Sequence, residues 1–84
     1  MTAQGDRAGP LSLVTGATGY IGGRLVPELL AAGHRVRCLA RSPDRLRDHT
    51  WAGDVEAVRG DVTDAASVAA AMQGVDVAYY LVHA

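Results

Sequence analysis

Lysine is missing altogether from this 84-residue chain, whose eight basic residues are all arginine. That absence excludes the mononucleotide-binding loop ending in Gly-Lys-Ser/Thr, because its lysine is what reaches the phosphates. Cysteine occurs once, as Cys38, which excludes an intramolecular disulfide. Long apolar runs are missing too: the longest, Val77 to Val82, falls far short of the roughly eighteen residues of a membrane-spanning helix. Met1 to Pro10 is small and polar with no apolar stretch of secretory type, so it reads as a flexible tail and leaves the cytoplasm as the default compartment. Charge of one sign is equally scarce. A net charge of −1 gives no whole-chain attraction to nucleic acid or anionic lipid. His34, His49 and His83 have no spacing that would join Cys38 in a metal site, and no Ser/His/Asp nucleophile pattern is present. Cys38 itself reads as a small core residue.

What is present is 49% apolar, enough for a packed globule, with short apolar runs alternating with helical stretches. Leu11 to Thr15 is β-prone and ends at Gly16, a first strand. From Ile21 to Ala32 the apolar residues fall as Ile21, Leu25 and Leu29 on one row and Val26 and Leu30 on the next, a helix with one buried stripe that Gly33 stops. Pro27 inside it removes a backbone bond from the Gly23 carbonyl, which predicts a distorted first turn near Gly23 in a helix that persists. Val36 to Ala40 reads as a second strand. Ser42-Pro43 opens a short helix to about Asp48, and Val55 to Val58 is a third strand closed by Gly60. Asp64 caps a helix of alanines, Val68 and Met72, stopped by Gly74. Val75 to Val82 is a fourth strand whose apolar run suits burial on both faces. The order β-α-β-α-β-α-β, with crossovers too long for hairpins, predicts a parallel, doubly wound α/β half-sheet. No internal repeat or low-complexity segment interrupts it.

Four of the ten glycines lie in Thr15-Gly16-Ala17-Thr18-Gly19-Tyr20-Ile21-Gly22-Gly23, between the first strand and the first helix. In that context Gly16 turns the chain off the strand, Gly19 leaves the backbone open to a diphosphate, and Gly22 lets the helix pack closely. Unpaired amides of the helix's first turn then face the ligand. The spacing is G-x-x-G-x-x-G, unlike the G-x-G-x-x-G of the common dinucleotide fingerprint. A tight turn with close helix packing is the plainer reading, and the strand-loop-helix context favours a dinucleotide. An NAD-selective site carries an acid at the end of the second strand, about twenty residues past the glycines. Arg41 stands there instead and Ser42 follows it, so a guanidinium is offered to a 2′-phosphate and NADP(H) is favoured. Against this, Arg35, Arg37, Arg45 and Arg47 lie close by, and Arg41 also fits a solvated arginine face.

The segment from Thr15 to Gly23 resembles the cofactor motif of extended and atypical short-chain dehydrogenases/reductases. The resemblance continues through Leu39-Ala-Arg-Ser-Pro43, Gly60-Asp61-Val62 and Val75 to His83, and covers residues 11–84. The likeness is greatest to the atypical group that includes NmrA-like regulators, in which bound cofactor does not guarantee turnover. It implies a three-layer α/β/α Rossmann-type fold, with a parallel sheet of about four strands in the order 3-2-1-4, of which residues 11–84 are the N-terminal half. It further implies that Gly16, Ala17, Thr18, Gly19, Tyr20, Ile21 and Gly22 line the cofactor's phosphates. Asp61 and Val62 would lie against the adenine, and Leu81, Val82 and His83 would pass the ribose and nicotinamide side. The bland alternatives are a turn role for Asp61 and a terminal surface position for His83.

Reductases of this kind usually donate a proton through a Tyr-x-x-x-Lys pair, which a chain without lysine cannot hold. Tyr20 belongs to the glycine loop and Tyr79 and Tyr80 to a strand, so none substitutes. Ala84 falls at the tip of the fourth strand, where the resembled fold continues, so the chain reads as a fragment or a truncated frame, inactive alone. It leaves an open edge for the rest of the domain or for a pairing chain. The expectation is an NADP(H)-binding module of an oxidoreductase. The alternatives are a non-catalytic dinucleotide sensor and, more distantly, an arginine-rich nucleic-acid module, which the lack of interleaved aromatics disfavours.

Overall fold

Strand β1, Leu11–Thr15, is buried along its whole length, and its alternating side chains serve two cores at once. The structure, a computed structural model, describes residues 9–17 and 19–81. After β1 come helix α1 (Tyr20–Ala31), strand β2 (Arg35–Ala40), 3-10 turns at Pro43–Asp48 and Ala52–Asp54, strand β3 (Glu56–Arg59), helix α2 (Ala65–Ala71) and strand β4 (Val77–Tyr80). All pairings are parallel, and the order is β3-β2-β1-β4, as the resemblance implies.

Each crossover helix covers one face. Ser12, Val14, Val36 and Cys38 point to the side of α1, where Val14, Val36 and Cys38 pack with Val26, Leu29, Leu46 and Trp51. Leu13 and Leu39 point to the other side, against Ala71 of α2 with Val58, Val62 and Val75. The two-residue period of a strand enforces this division. Polar groups in the sheet are matched: Ser12 Oγ lies 2.8 Å from His34 Nδ1, and the Asp76 carboxylate accepts the Leu11 amide at 2.8 Å. Gly33 and Gly74, with φ of 89° and 77°, end the helices as expected. Gly9 and Pro10, assigned to the tail by sequence, are tied to β2: the Arg35 amide donates to the Pro10 carbonyl at 2.9 Å and Arg35 Nε to that of Gly9 at 3.1 Å. Among the described residues no helix is long and apolar enough to cross a membrane.

Three further expectations are corrected. Ile21 is 66% exposed, and the buried row of α1 runs through Gly22, Val26 and Leu29, because the helix meets the glycine loop at Gly22 and turns Ile21 outward. Strand β4 is not buried on both faces: Val77 and Tyr80 are 39% and 67% exposed. Among the described residues it pairs only with β1, and of its side chains Tyr79 packs against the core on the side of α1. Asp64 stands at the N-cap of α2 but makes no side-chain capping bond, since its carboxylate instead accepts the Ser67 hydroxyl at 3.0 Å.

Candidate functional site

Register brings the candidate residues to one edge of the sheet. Thr15 pairs with Leu39 and with Tyr80, and Leu39 with Val58, so the four strands end together and Gly16, Arg41, Gly60 and Leu81 leave the same edge. Strand order reverses between β1 and β4, and such a switch point opens a crevice. Thr15 fastens the base of the glycine loop there. Its buried hydroxyl donates to the Tyr79 carbonyl at 3.2 Å and accepts the Leu81 amide at 3.3 Å.

Beyond Thr15 the chain turns at Gly16, whose φ of +81° suits glycine, and the Gly19 amide donates to the Gly16 carbonyl at 3.0 Å. The loop then folds back on α1 so closely that a Cβ at Gly22 would stand 2.3 Å from the Gly16 carbonyl oxygen. Sequence reading assigned Gly22 to helix-sheet packing; its tightest neighbour is the loop itself. Gly19 is the N-cap of α1 and offers no side-chain bond, and no acid stands in the first turn. The first-turn amides, which lack helical acceptors by geometry, therefore remain for an anion.

A cleft of about 510 Å³ opens over this edge, lined by Gly16, Ala17, Gly19, Leu39, Ala40, Arg41, Ser42, Arg45, Gly60, Asp61, Val62, Thr63 and Leu81. Of the residues expected from sequence, Gly16, Ala17, Gly19, Arg41, Ser42, Asp61, Val62 and Leu81 are brought together in it. Gly22 is buried beneath the loop. The side chains of Tyr20 and Ile21 lie outside the cleft, in a second depression along α1 with Arg24 and Glu28, so only their backbone can serve it. Thr18, Val82 and His83 lie outside the described residues.

Leu39, Ala40, Arg45, Gly60 and Thr63 were not assigned to the site from sequence. Arg45 follows Arg41 by four residues, and the Pro43 turn returns it to the cleft. Thr63 is the partner of Asp61: its amide and hydroxyl donate to Asp61 Oδ1 at 2.9 and 2.8 Å. Those two bonds, with a smaller contribution from the Arg41 charge, hold the Asp61 carboxyl below its ordinary value against a slight opposing effect of burial. The turn role considered for Asp61 is thus real, and it leaves Oδ2 without a partner among the described residues.

The arginines separate by contact. Arg37 pairs with Glu56 at 2.9 Å and donates to the Ala71 and Gln73 carbonyls at 2.7 Å each, closing the C-terminal end of α2. Arg35 holds Gly9, Arg47 meets Asp44 at 3.3 Å, and Arg59 donates to the Arg41 carbonyl at 3.1 Å. Arg41 and Arg45 are left facing the cleft. An anion-accepting loop, two cations at the end of β2 and a fixed carboxylate at the end of β3 make a cradle suited to a dinucleotide's phosphates and adenine.

Residues 16–84 match the family model described as NAD(P)H-binding. The chain belongs to this NAD(P)H-binding family. Among curated relatives of this NAD(P)H-binding chain, a 3 beta-hydroxysteroid dehydrogenase/Delta 5-->4-isomerase of Mycobacterium tuberculosis is 43% identical over 68 residues, 81% of this chain and 18% of that protein. The chloroplastic divinyl chlorophyllide a 8-vinyl-reductase of Zea mays is 48% identical over 79 residues, 81% of this chain and 20% of that protein. A Rossmann-fold NAD(P)-binding family protein from Shigella flexneri superimposes with a TM-score of 0.78 at 25% identity, over 89% of this chain and 38% of that one. The chain thus spans about a fifth of the length of these curated relatives. The kinship with dehydrogenases and reductases expected from the sequence is borne out, and the chain is part of an NAD(P)-binding domain.

Proposed function

We propose that the chain binds NADP(H) in preference to NAD(H), as the cofactor-binding part of an oxidoreductase. The observation that carries the preference is Arg41 at the end of β2, beside the cleft and free of any carboxylate partner among the described residues. A carboxylate there would accept a ribose 2′-hydroxyl and repel a 2′-phosphate, whereas a guanidinium does the reverse. Arg45 adds a second cation, and Ser42 a hydroxyl.

In this reading Gly16, Ala17, Thr18 and Gly19, with the amides of Tyr20, Ile21 and Gly22, hold the diphosphate. Asp61 accepts from the adenine amine, Val62 packs against the ring, and Leu81, Val82 and His83 border the nicotinamide side. The bound dinucleotide supplies hydride transfer. The residues of this chain bind and orient it; with no lysine, they hold no Tyr-x-x-x-Lys proton donor, and the 84 residues alone bind without turnover. Relatives named as a dehydrogenase and a reductase support an oxidoreductase for the whole protein.

Calorimetric titration tests the preference. NADPH should bind at least about tenfold more tightly than NADH, the value of one charge-assisted bond pair, and Arg41→Asp should abolish the difference. Equal affinities in the unmutated chain would overturn the assignment.

A further inference from the structure

Pro27 brings no amide hydrogen to α1, so the Gly23 carbonyl, one turn earlier, has no helical donor. It is not left bare, because Trp51 Nε1 donates to it at 3.3 Å from 28 residues further along the chain. Trp51 is 6% exposed and stacks on His49, with ring centroids 4.4 Å apart and planes 13° from parallel. His49 Cε1 lies 3.1 Å from where a Gly23 Cβ would stand, so the Gly23 position is shaped around this pair. The core that contains Trp51 also contains Val26 of α1 and Ala17 of the glycine loop.

We propose that Trp51 is a positioning residue for the dinucleotide site: its indole N–H replaces the donor that Pro27 withholds, and so fixes the first turns of α1 beneath the glycine loop. The inference rests on the reading above that this loop holds the dinucleotide's phosphates. Without the indole N–H the Gly23 carbonyl must find water or tilt outward, and the amides at the helix start lose their preset direction. Preorganisation lost in this way appears as weaker binding.

The test is a double-mutant cycle on the whole chain, read by NADPH titration and by thermal unfolding of the same samples. Trp51→Phe keeps the ring and removes the donor, and should weaken NADPH binding about three- to tenfold. Pro27→Ala should leave affinity within about twofold, and Pro27→Ala with Trp51→Phe should bind like Pro27→Ala alone, because the alanine amide restores the helical bond. A role in packing alone would cost the same in both backgrounds, and that result overturns the proposal. So does a folded Trp51→Phe chain with unchanged affinity. If Trp51→Phe unfolds the chain, adding Pro27→Ala should recover both fold and binding, and failure to recover them overturns it equally. An unmutated chain that binds neither NADPH nor NADH refutes the underlying functional reading, and this role with it; failure of the positioning role alone leaves the unmutated chain's binding intact.

Discussion

Cys38 sits in the middle of β2 with no exposed surface, and burial pushes its thiol up from 9.0 to about 12. The folded state therefore prefers the neutral thiol. Its contribution to stability is complete below the unfolded value and is lost as pH rises from about 9 toward 12. Cys38→Ala should flatten the alkaline limb of a stability-pH profile in that window. A thiol reagent at pH 8 should label the folded chain only through unfolding, and rapid labelling without denaturant would contradict this burial. The arginines teach a different lesson at the same scale. Position at the end of β2 singles out Arg41, but strand parity does not separate it from Arg35 and Arg37. Packing separates them, since Arg37 is spent on Glu56 and the end of α2 while Arg41 and Arg45 border the cleft.

The link from β1 to α1 is held by close backbone approach more than by side chains. Gly22→Ala would drive a Cβ into the Gly16 carbonyl and the Ala17 Cα, 2.3 and 2.7 Å away. Overpacking of this kind costs about 1–3 kcal/mol, and the loop must shift to relieve it, so the substitution should lower both Tm and NADPH affinity. A variant with unchanged values in both measurements would show that the loop yields freely. Within α1 the orphaned Gly23 carbonyl was legible from Pro27. Its donor was not, because Trp51 lies 28 residues away and no local rule joins the two. The glycine spacing, the helix stops and the β2 end were legible for the opposite reason: each depends on residues within one turn of itself. Hydropathy alone cannot tell which of two adjacent helical rows meets the loop, so it places Ile21 on the buried row where the structure turns it outward.

Across the whole molecule the two faces of the sheet are unequal. The side of α1 carries the larger core, with Leu46 added from the first 3-10 turn and Trp51 from the link before the second, and the side of α2 carries the smaller. β4 completes the order at one edge with Val77 and Tyr80 exposed, an apolar edge strand that invites pairing with another strand. In this chain Val77→Thr with Tyr80→Lys should reduce concentration-dependent association in sedimentation velocity. Neither side chain lines the cleft, which β4 reaches only through Leu81 at its end, so NADPH affinity should hold. Association unchanged by the pair of substitutions would place the sticky surface elsewhere.

The sequence by itself determined the alternation of strands and helices, the glycine turn at the end of β1, and the arginine where an acid would otherwise select NAD. These are properties of short segments, set by backbone freedom, period and charge. The tertiary structure alone decided that Arg45 joins Arg41 at the cleft, that Asp61 is locked by Thr63, that Trp51 serves the carbonyl beneath the glycine loop, and that β4 lies exposed. Each of these depends on residues distant in sequence or free to choose among partners, and only close packing around a shared sheet edge makes that choice.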